Sequence, residues 1–286
     1  MASNKYLKLK NKWVDKHRRI SESLWTKHKK HLNWLSENSK QLAVGSLGSL
    51  ILISSPGAQN LNPNQTVKTE EQSLIDKSTF LITDLKNILP SEIRPLTSDE
   101  EASVSAVLSR DFNMNVRPEI EEKRLNRSYG LIGAEQHLAR YPGDTMSSHF
   151  DSQEETSLYY SSGMAPGLGA WRYFANSKES MTEEENLREK YYIAVQTFLA
   201  KDFSQRFAEY RDFFRFRKML LVNPDNGRAI VTAIGDAGPA AWTGKHLGGS
   251  PEVMSYLERY DGAQRGPVLY FFIDDPENKI PLGPVK

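Results

Sequence analysis

The sequence predicts an α+β chain whose C-terminal part is a mixed α and β domain, preceded by a helical segment and a basic N-terminal leader with a short apolar stretch. Three observations carry this expectation: short β-rich runs between turn signatures from 218 to 274, two helical patterns between 59 and 128, and a charge distribution that sets the first forty residues apart. The implied boundaries are 1–58 for the leader and its apolar stretch, 59–128 for a linker and helical stalk, and 129–286 for the mixed α and β domain with its N-terminal extension. With 286 residues, 38% of them hydrophobic and 26% charged, the chain has the balance of a soluble globular protein with room for a real core.

Residues 1–40 hold eleven Lys/Arg against three Asp/Glu. Of the chain's 37 basic and 36 acidic residues this leaves twenty-six against thirty-three, so the leader carries +8 and the remainder −7. The cationic surface that would neutralise phosphates is therefore outside the folded body, which argues against a nucleic-acid partner. With no cysteine there is no disulfide framework, thiolate nucleophile, cysteine-ligated zinc or lipid-modified cysteine. Leu42 to Ile53 is an uncharged apolar run closed by Ser54-Ser55-Pro56-Gly57-Ala58. It has the length of a signal-peptide core and is short for a spanning helix, and Ser55, Gly57 or Ala58 suits a cleavage site. The Lys/Arg excess would hold the leader on the cytoplasmic side, so the rest is expected to be extracytoplasmic, either secreted or tethered to the membrane by the N-terminal segment. Trp13, Ile20, Leu24, Trp25, Leu32, Trp34 and Leu35 can line an interfacial amphipathic helix. The competing readings are a solvated tail for these residues and a buried strand or helix for 42–53.

Between 59 and 128, Leu89-Pro90 and Arg94-Pro95 separate the two helical patterns, and Ser98 followed by Glu101 marks the start of the second. From about 129 the texture changes to glycines, aromatics and β-rich runs. Gly163 to Phe174 reads as a loop entering a strand, Met181 to Glu189 as a helix and Tyr191 to Val195 as a strand. Met219 to Val222 is a strand, Asn223-Pro224-Asp225-Asn226-Gly227 a hairpin turn, and Arg228 to Ile234 its partner strand. Gly235-Asp236-Ala237-Gly238-Pro239 then turns away, Ser250-Pro251-Glu252 starts a helix, and Val268 to Ile273 is a last strand before Asp274-Asp275-Pro276.

This order of elements, together with Asn223-Pro224-Asp225-Asn226-Gly227-Arg228, Gly235-Asp236-Ala237-Gly238-Pro239 and Gly244-Lys245-His246-Leu247-Gly248-Gly249-Ser250, resembles the barrel of the rare lipoprotein A-like cell-wall proteins, with a more distant likeness to the barwin and expansin barrels. The likeness covers residues 219–274, with Gly169 to Tyr173 and Tyr192 to Val195 as candidate opening strands. It implies a six-stranded double-psi β-barrel, peptidoglycan or a related cell-wall glycan as partner, and lytic transglycosylase chemistry in which Asp236 is the general acid/base. Two departures bear on activity: Gly248 stands where the family carries a second Asp, and Gln196 falls where active members carry a His. A non-catalytic glycan-binding or envelope-scaffolding barrel is the alternative.

One carboxyl group suffices for such a reaction, because a protonated Asp236 can donate to the glycosidic oxygen and then accept a proton from the sugar's own 6-hydroxyl as it closes a ring. A hydrolase would need a second carboxylate to activate water. The bland reading of Asp236 is a turn residue, with Gly238 and Pro239 shaping the exit. Trp242 can stack on a sugar face while Lys245 and His246 hydrogen-bond its substituents, or it can simply cover the barrel end. Glu135 and His137, in the Gly-rich segment from Gly133 to Asp151, are further candidate substrate contacts, and Glu135 or Asp144 can supply a second acid. His137 and His149 lie twelve residues apart and fit no short metal motif, so neither a metal nor a cofactor is expected.

Overall fold

Six strands pair in turn until the last meets the first. They are β1 (Tyr129–Ala134), β2 (Tyr192–Val195), β3 (Lys218–Val222), β4 (Ala229–Ala237), β5 (Leu247–Gly249) and β6 (Arg265–Ile273). β6 runs antiparallel to β1 and β3, β3 to β4, and β2 to β5, while β4 pairs with β2 and β5 with β1 in parallel. The result is a closed, six-stranded mixed barrel in an α+β chain. Two short strands extend it, Val116–Arg117 on β6 and Gly283–Pro284 on β4. These elements belong to a computed structural model that describes residues 70–259 and 265–285, with side chains from residue 78. The basic leader, the apolar run 42–53 and its cleavage region lie outside the described residues, among which no helix is long and apolar enough to cross a membrane.

The two-residue period of the strands sorts their side chains onto two faces. Ile132, Ile193, Val195, Met219, Leu221, Ile230, Ile234, Leu247, Val268, Tyr270 and Phe272 share one core. Tyr210, Phe213 and Phe214 of α6 (Phe207–Phe214) and Val253, Met254 and the following Leu257 of α7 (Pro251–Tyr256) join it. The alternate residues, among them Leu220, Val222, Val231, Leu269, Phe271 and Ile273, point outward. They meet Leu81 and Leu85 of α1 (Glu70–Ile88) and Val104 and Leu108 of α2 (Ser98–Phe112). α1 and α2 therefore do not stand off as a stalk: their apolar stripes cover the barrel's outer wall.

Several local expectations hold. Asn223 Oδ1 accepts from the Asp225 amide at 2.9 Å, Gly227 takes φ of 72°, and Val222 faces Ala229, which closes the β3–β4 hairpin. Ser250 caps α7 by accepting from the Val253 amide at 3.3 Å, with Pro251 in the first turn. Others are corrected. α2 is capped one residue early, by Thr97 and Glu100, which leaves Glu101 free to turn inward onto Arg124 and Ser128. Gly169 to Tyr173 forms no strand, since Trp171 folds inward and donates its indole N–H to the Ile234 carbonyl at 3.1 Å. The barrel's opening strand is instead Tyr129–Ala134.

The largest correction is at Gly235, where a turn is expected and the strand continues to Ala237. Ile193 pairs with Ile234 but Ala194 pairs with Asp236, so Gly235 is an extra residue in β4, a bulge. A Cβ on Gly235 would lie 2.7 Å from Tyr192 Cβ, which is why the bulge carries glycine. Gly235→Ala is expected to cost about 1–3 kcal/mol of stability through overpacking against Tyr192. Urea denaturation measures this, and an unshifted midpoint would contradict it.

Candidate functional site

The bulge reverses the facing of Asp236. By strict alternation it would follow Ile230, Thr232 and Ile234, but its pairing puts it in register with Ala194, which projects on the outer face with Tyr192. Ala194 in turn faces Gly248 of β5, and Gly248 faces Gly133 of β1. One row across four strands therefore reads Gly133, Gly248, Ala194, Asp236. No side chain between its ends exceeds a methyl group, so the row is a trough in the sheet bounded by Asp236, and neighbouring groups fill it: Gly133, Gly248 and Ala194 are all buried. With strands about 4.8 Å apart, the Asp236 and Gly248 backbones are about 10 Å apart.

Asp236 Oδ1 accepts from the backbone amides of Ala170 at 2.6 Å and Ala237 at 2.8 Å. Burial raises its pKa above the ordinary carboxylate value, and these two amides pull the other way. The loop from Gly163 to Phe174 thus serves to hold Asp236, with Gly169 against its carboxyl group.

Glu135 continues from β1 and folds back over Gly248, where a Cβ would come within 2.7 Å of Glu135 Cδ. The position that lacks the expected Asp is occupied by a carboxylate from the neighbouring strand. Lys245 Nζ donates to Glu135 Oε1 at 2.7 Å and to the Ala134 carbonyl at 2.9 Å. Tyr192, on the same outer face as the row, has its hydroxyl pKa raised by burial first and then by the charges of Glu189, Glu135 and Asp236. Gln196, buried, donates to the carbonyls of Pro239 at 3.0 Å and Lys245 at 3.3 Å, so it ties the exit of β4 to the approach of β5.

The other predicted contacts separate. Trp242, 89% exposed, covers no barrel end and is free to meet a ligand. His246 is engaged with the barrel wall: its ring lies on Gly130 and Nδ1 accepts from the Leu131 amide at 2.9 Å, which leaves the proton on Nε2. His137 has no exposed surface and does not reach the trough.

His137 belongs to a second cluster, buried behind the trough. It stands with His149, at the end of α3 (Met146–His149), and Glu189, near the end of α5 (Glu183–Lys190). His149 lies between two carboxylates, with Nδ1 2.9 Å from Asp144 Oδ2 and Nε2 3.2 Å from Glu189 Oε2. Burial disfavours the charge on His149, but bonds to Asp144 and Glu189 outweigh it and raise its pKa. Burial likewise opposes the charge on Glu189, and its imidazole neighbours reverse that effect and lower its pKa. Glu252 in the first turn of α7 is pushed up to about 8, by burial and then by the Glu189 charge. Glu189 was not legible as a site residue, since it sits in a charged run that reads as a solvated helix face, and Glu252 was legible only as part of a helix start.

No protein-family model matches the chain, and no curated protein is found to be similar to it.

The two clusters predict different costs for the same change. Glu189→Gln removes a buried charge between two histidines and is expected to destabilise by about 3–5 kcal/mol. Glu135→Gln, whose bridge to Lys245 is partly exposed, should change stability by under about 1 kcal/mol. Chemical denaturation of both variants checks this, and equal effects would contradict the assignment of one cluster to the core and the other to the trough.

Proposed function

We propose that this protein is an exported envelope protein acting on peptidoglycan, a lytic transglycosylase-like barrel in which Asp236 is the general acid/base. The observation that carries the reading is the outward turn of a partly buried carboxyl group with raised pKa onto a floor of glycine and alanine. A raised pKa keeps a proton on Asp236 at a pH where an ordinary Asp has lost it. The resemblance over 219–274 to the rare lipoprotein A-like double-psi barrels supports the same reading. So does the closed six-stranded barrel with its two parallel pairs.

The chemistry balances without water or a cofactor. Asp236 donates its proton to the glycosidic oxygen as the C1–O bond breaks. The 6-hydroxyl oxygen of the same sugar bonds to C1, and its proton passes to the Asp236 carboxylate, restoring the acid. Glu135, across the trough, is placed to oppose the positive charge that develops on the sugar ring, and Trp242 to stack on a neighbouring ring.

Asp236→Asn keeps an oxygen to accept from the Ala170 and Ala237 amides, so it isolates the proton transfer from the fold. Release of anhydro-muropeptides from purified peptidoglycan should fall by about 10²–10⁴-fold, with the circular dichroism unchanged. Wild-type protein that releases none would refute the enzymatic reading. The pH profile carries a second expectation. Because the active form is the protonated acid, the rate should fall as pH rises through the Asp236 pKa, on a limb displaced above the ordinary Asp value of 3.8. A limb at or below that value would contradict the role of burial.

Gly248 and Gln196, in place of the family's Asp and His, favour a second reading, a glycan-binding module without turnover. It is distinguished by co-sedimentation with insoluble peptidoglycan in the absence of product. A protein that neither pellets nor cleaves would exclude both.

A further inference from the structure

We propose that His137, His149 and Glu189 bind one divalent transition-metal ion, Zn²⁺ foremost, as a structural centre behind the trough. One ligand atom from each of the three lies within 4.8 Å of the others, a spread that a single ion can gather to coordination distance. All three side chains are buried, at 0%, 3% and 2% exposure. The second observation is His137 itself. Neither of its ring nitrogens has a hydrogen-bond partner among the described residues, and its Nδ1 is 3.6 Å from Glu189 Oε1, too far for a hydrogen bond. A fully buried imidazole with both nitrogens idle is rare in native proteins unless something else engages it.

The surroundings are those of a metal site. Asp144 Oδ2 bonds to His149 Nδ1 and so presents Nε2 to the centre, the carboxylate–histidine arrangement that orients metal-bound imidazoles. Asp144 is itself fixed by the Arg140 amide at 3.0 Å and Arg140 Nε at 3.1 Å. The Leu138 amide fixes Glu189 Oε1 at 2.9 Å. Phe150 stands edge-on to both imidazoles, with ring centroids 5.2 Å apart, and shields them. Asp144 Oδ1, a buried acceptor without a partner among the described residues, lies with Oδ2 on the Nδ1 side of the His149 ring and so belongs to the outer shell. Two imidazoles and a carboxylate, with no thiolate in the chain, suit Zn²⁺ among the divalent ions. The ion takes the place of the proton between His149 Nε2 and Glu189 Oε2, which is released on binding. It would fasten the segment after β1 to α5, and with it Glu135, two residues before His137.

The full chain, stripped with chelator and titrated with Zn²⁺ alone, should bind one equivalent through this site and melt at higher temperature when loaded. His137→Gln should abolish that equivalent, and Asp144→Asn should weaken it by about 10–100-fold. Replacing His17, His28 and His31 of the leader together should leave it intact. Absence of stoichiometric binding, or binding that survives His137→Gln, overturns the proposal. Should His137→Gln fail to fold, X-ray absorption of the zinc-loaded wild type decides: two imidazoles with oxygen ligands are expected, and any other imidazole number overturns it.

Discussion

The register step at Gly235 is the constraint on which the candidate site depends. Were β4 regular, Asp236 would follow Ile230 and Ile234 into the apolar interior, where a carboxyl group without partners is costly. One extra residue sends it to the opposite face, in line with Ala194 and Gly248. The bulge can exist only because Gly235 has no Cβ to strike Tyr192. Tyr192 then links both halves of the arrangement, sharing the outer face with the row and donating its hydroxyl to the Gln136 carbonyl, one residue from His137.

The barrel was legible in the sequence where local chemistry decides it. The Asn223–Gly227 turn, the Ser250-Pro251 helix start and the β-branched runs around them each carry their own signal, and the structure follows them. What was not legible depends on partners distant in sequence. Tyr129–Ala134 reads weakly as a strand because its glycines suit close parallel packing against Leu247–Gly249, more than a hundred residues on. Gly235 reads as a turn residue in Gly-Asp-Ala-Gly-Pro, and only its cross-strand register shows a bulge. The site was legible in the same uneven way. Asp236 stood out by its motif and Glu135 by its Gly-rich setting, whereas the return of Glu135 over Gly248 needs the β1–β5 pairing. His137 stood out for the wrong surface, since nothing local announces that it is buried with Glu189.

Two clusters of opposite character thus share the region between β1, β2 and α5. In the outer one, Asp236 and Glu135 are only partly buried, and the electrostatics favour a retained proton on Asp236. In the inner one, histidines and carboxylates are shut away from water and favour charge separation or a cation. The segment from Glu135 to His137 spans both, so the order of the inner cluster sets the position of the outer wall. The departures at Gly248 and Gln196 acquire a physical meaning in this setting. Glu135 fills the space over the first, and the second fastens the β4 and β5 loops through the carbonyls of Pro239 and Lys245.

Whether a glycan uses this face is tested most directly by amide chemical-shift mapping of the isotopically labelled full chain with a soluble peptidoglycan tetrasaccharide. A sugar lying along the row moves the amides of Ala170, Ala194, Ala237 and Gly248 and leaves those of α1 and α2 in place. Shifts confined to the helical face, or none at saturating sugar, would contradict a glycan site at Asp236.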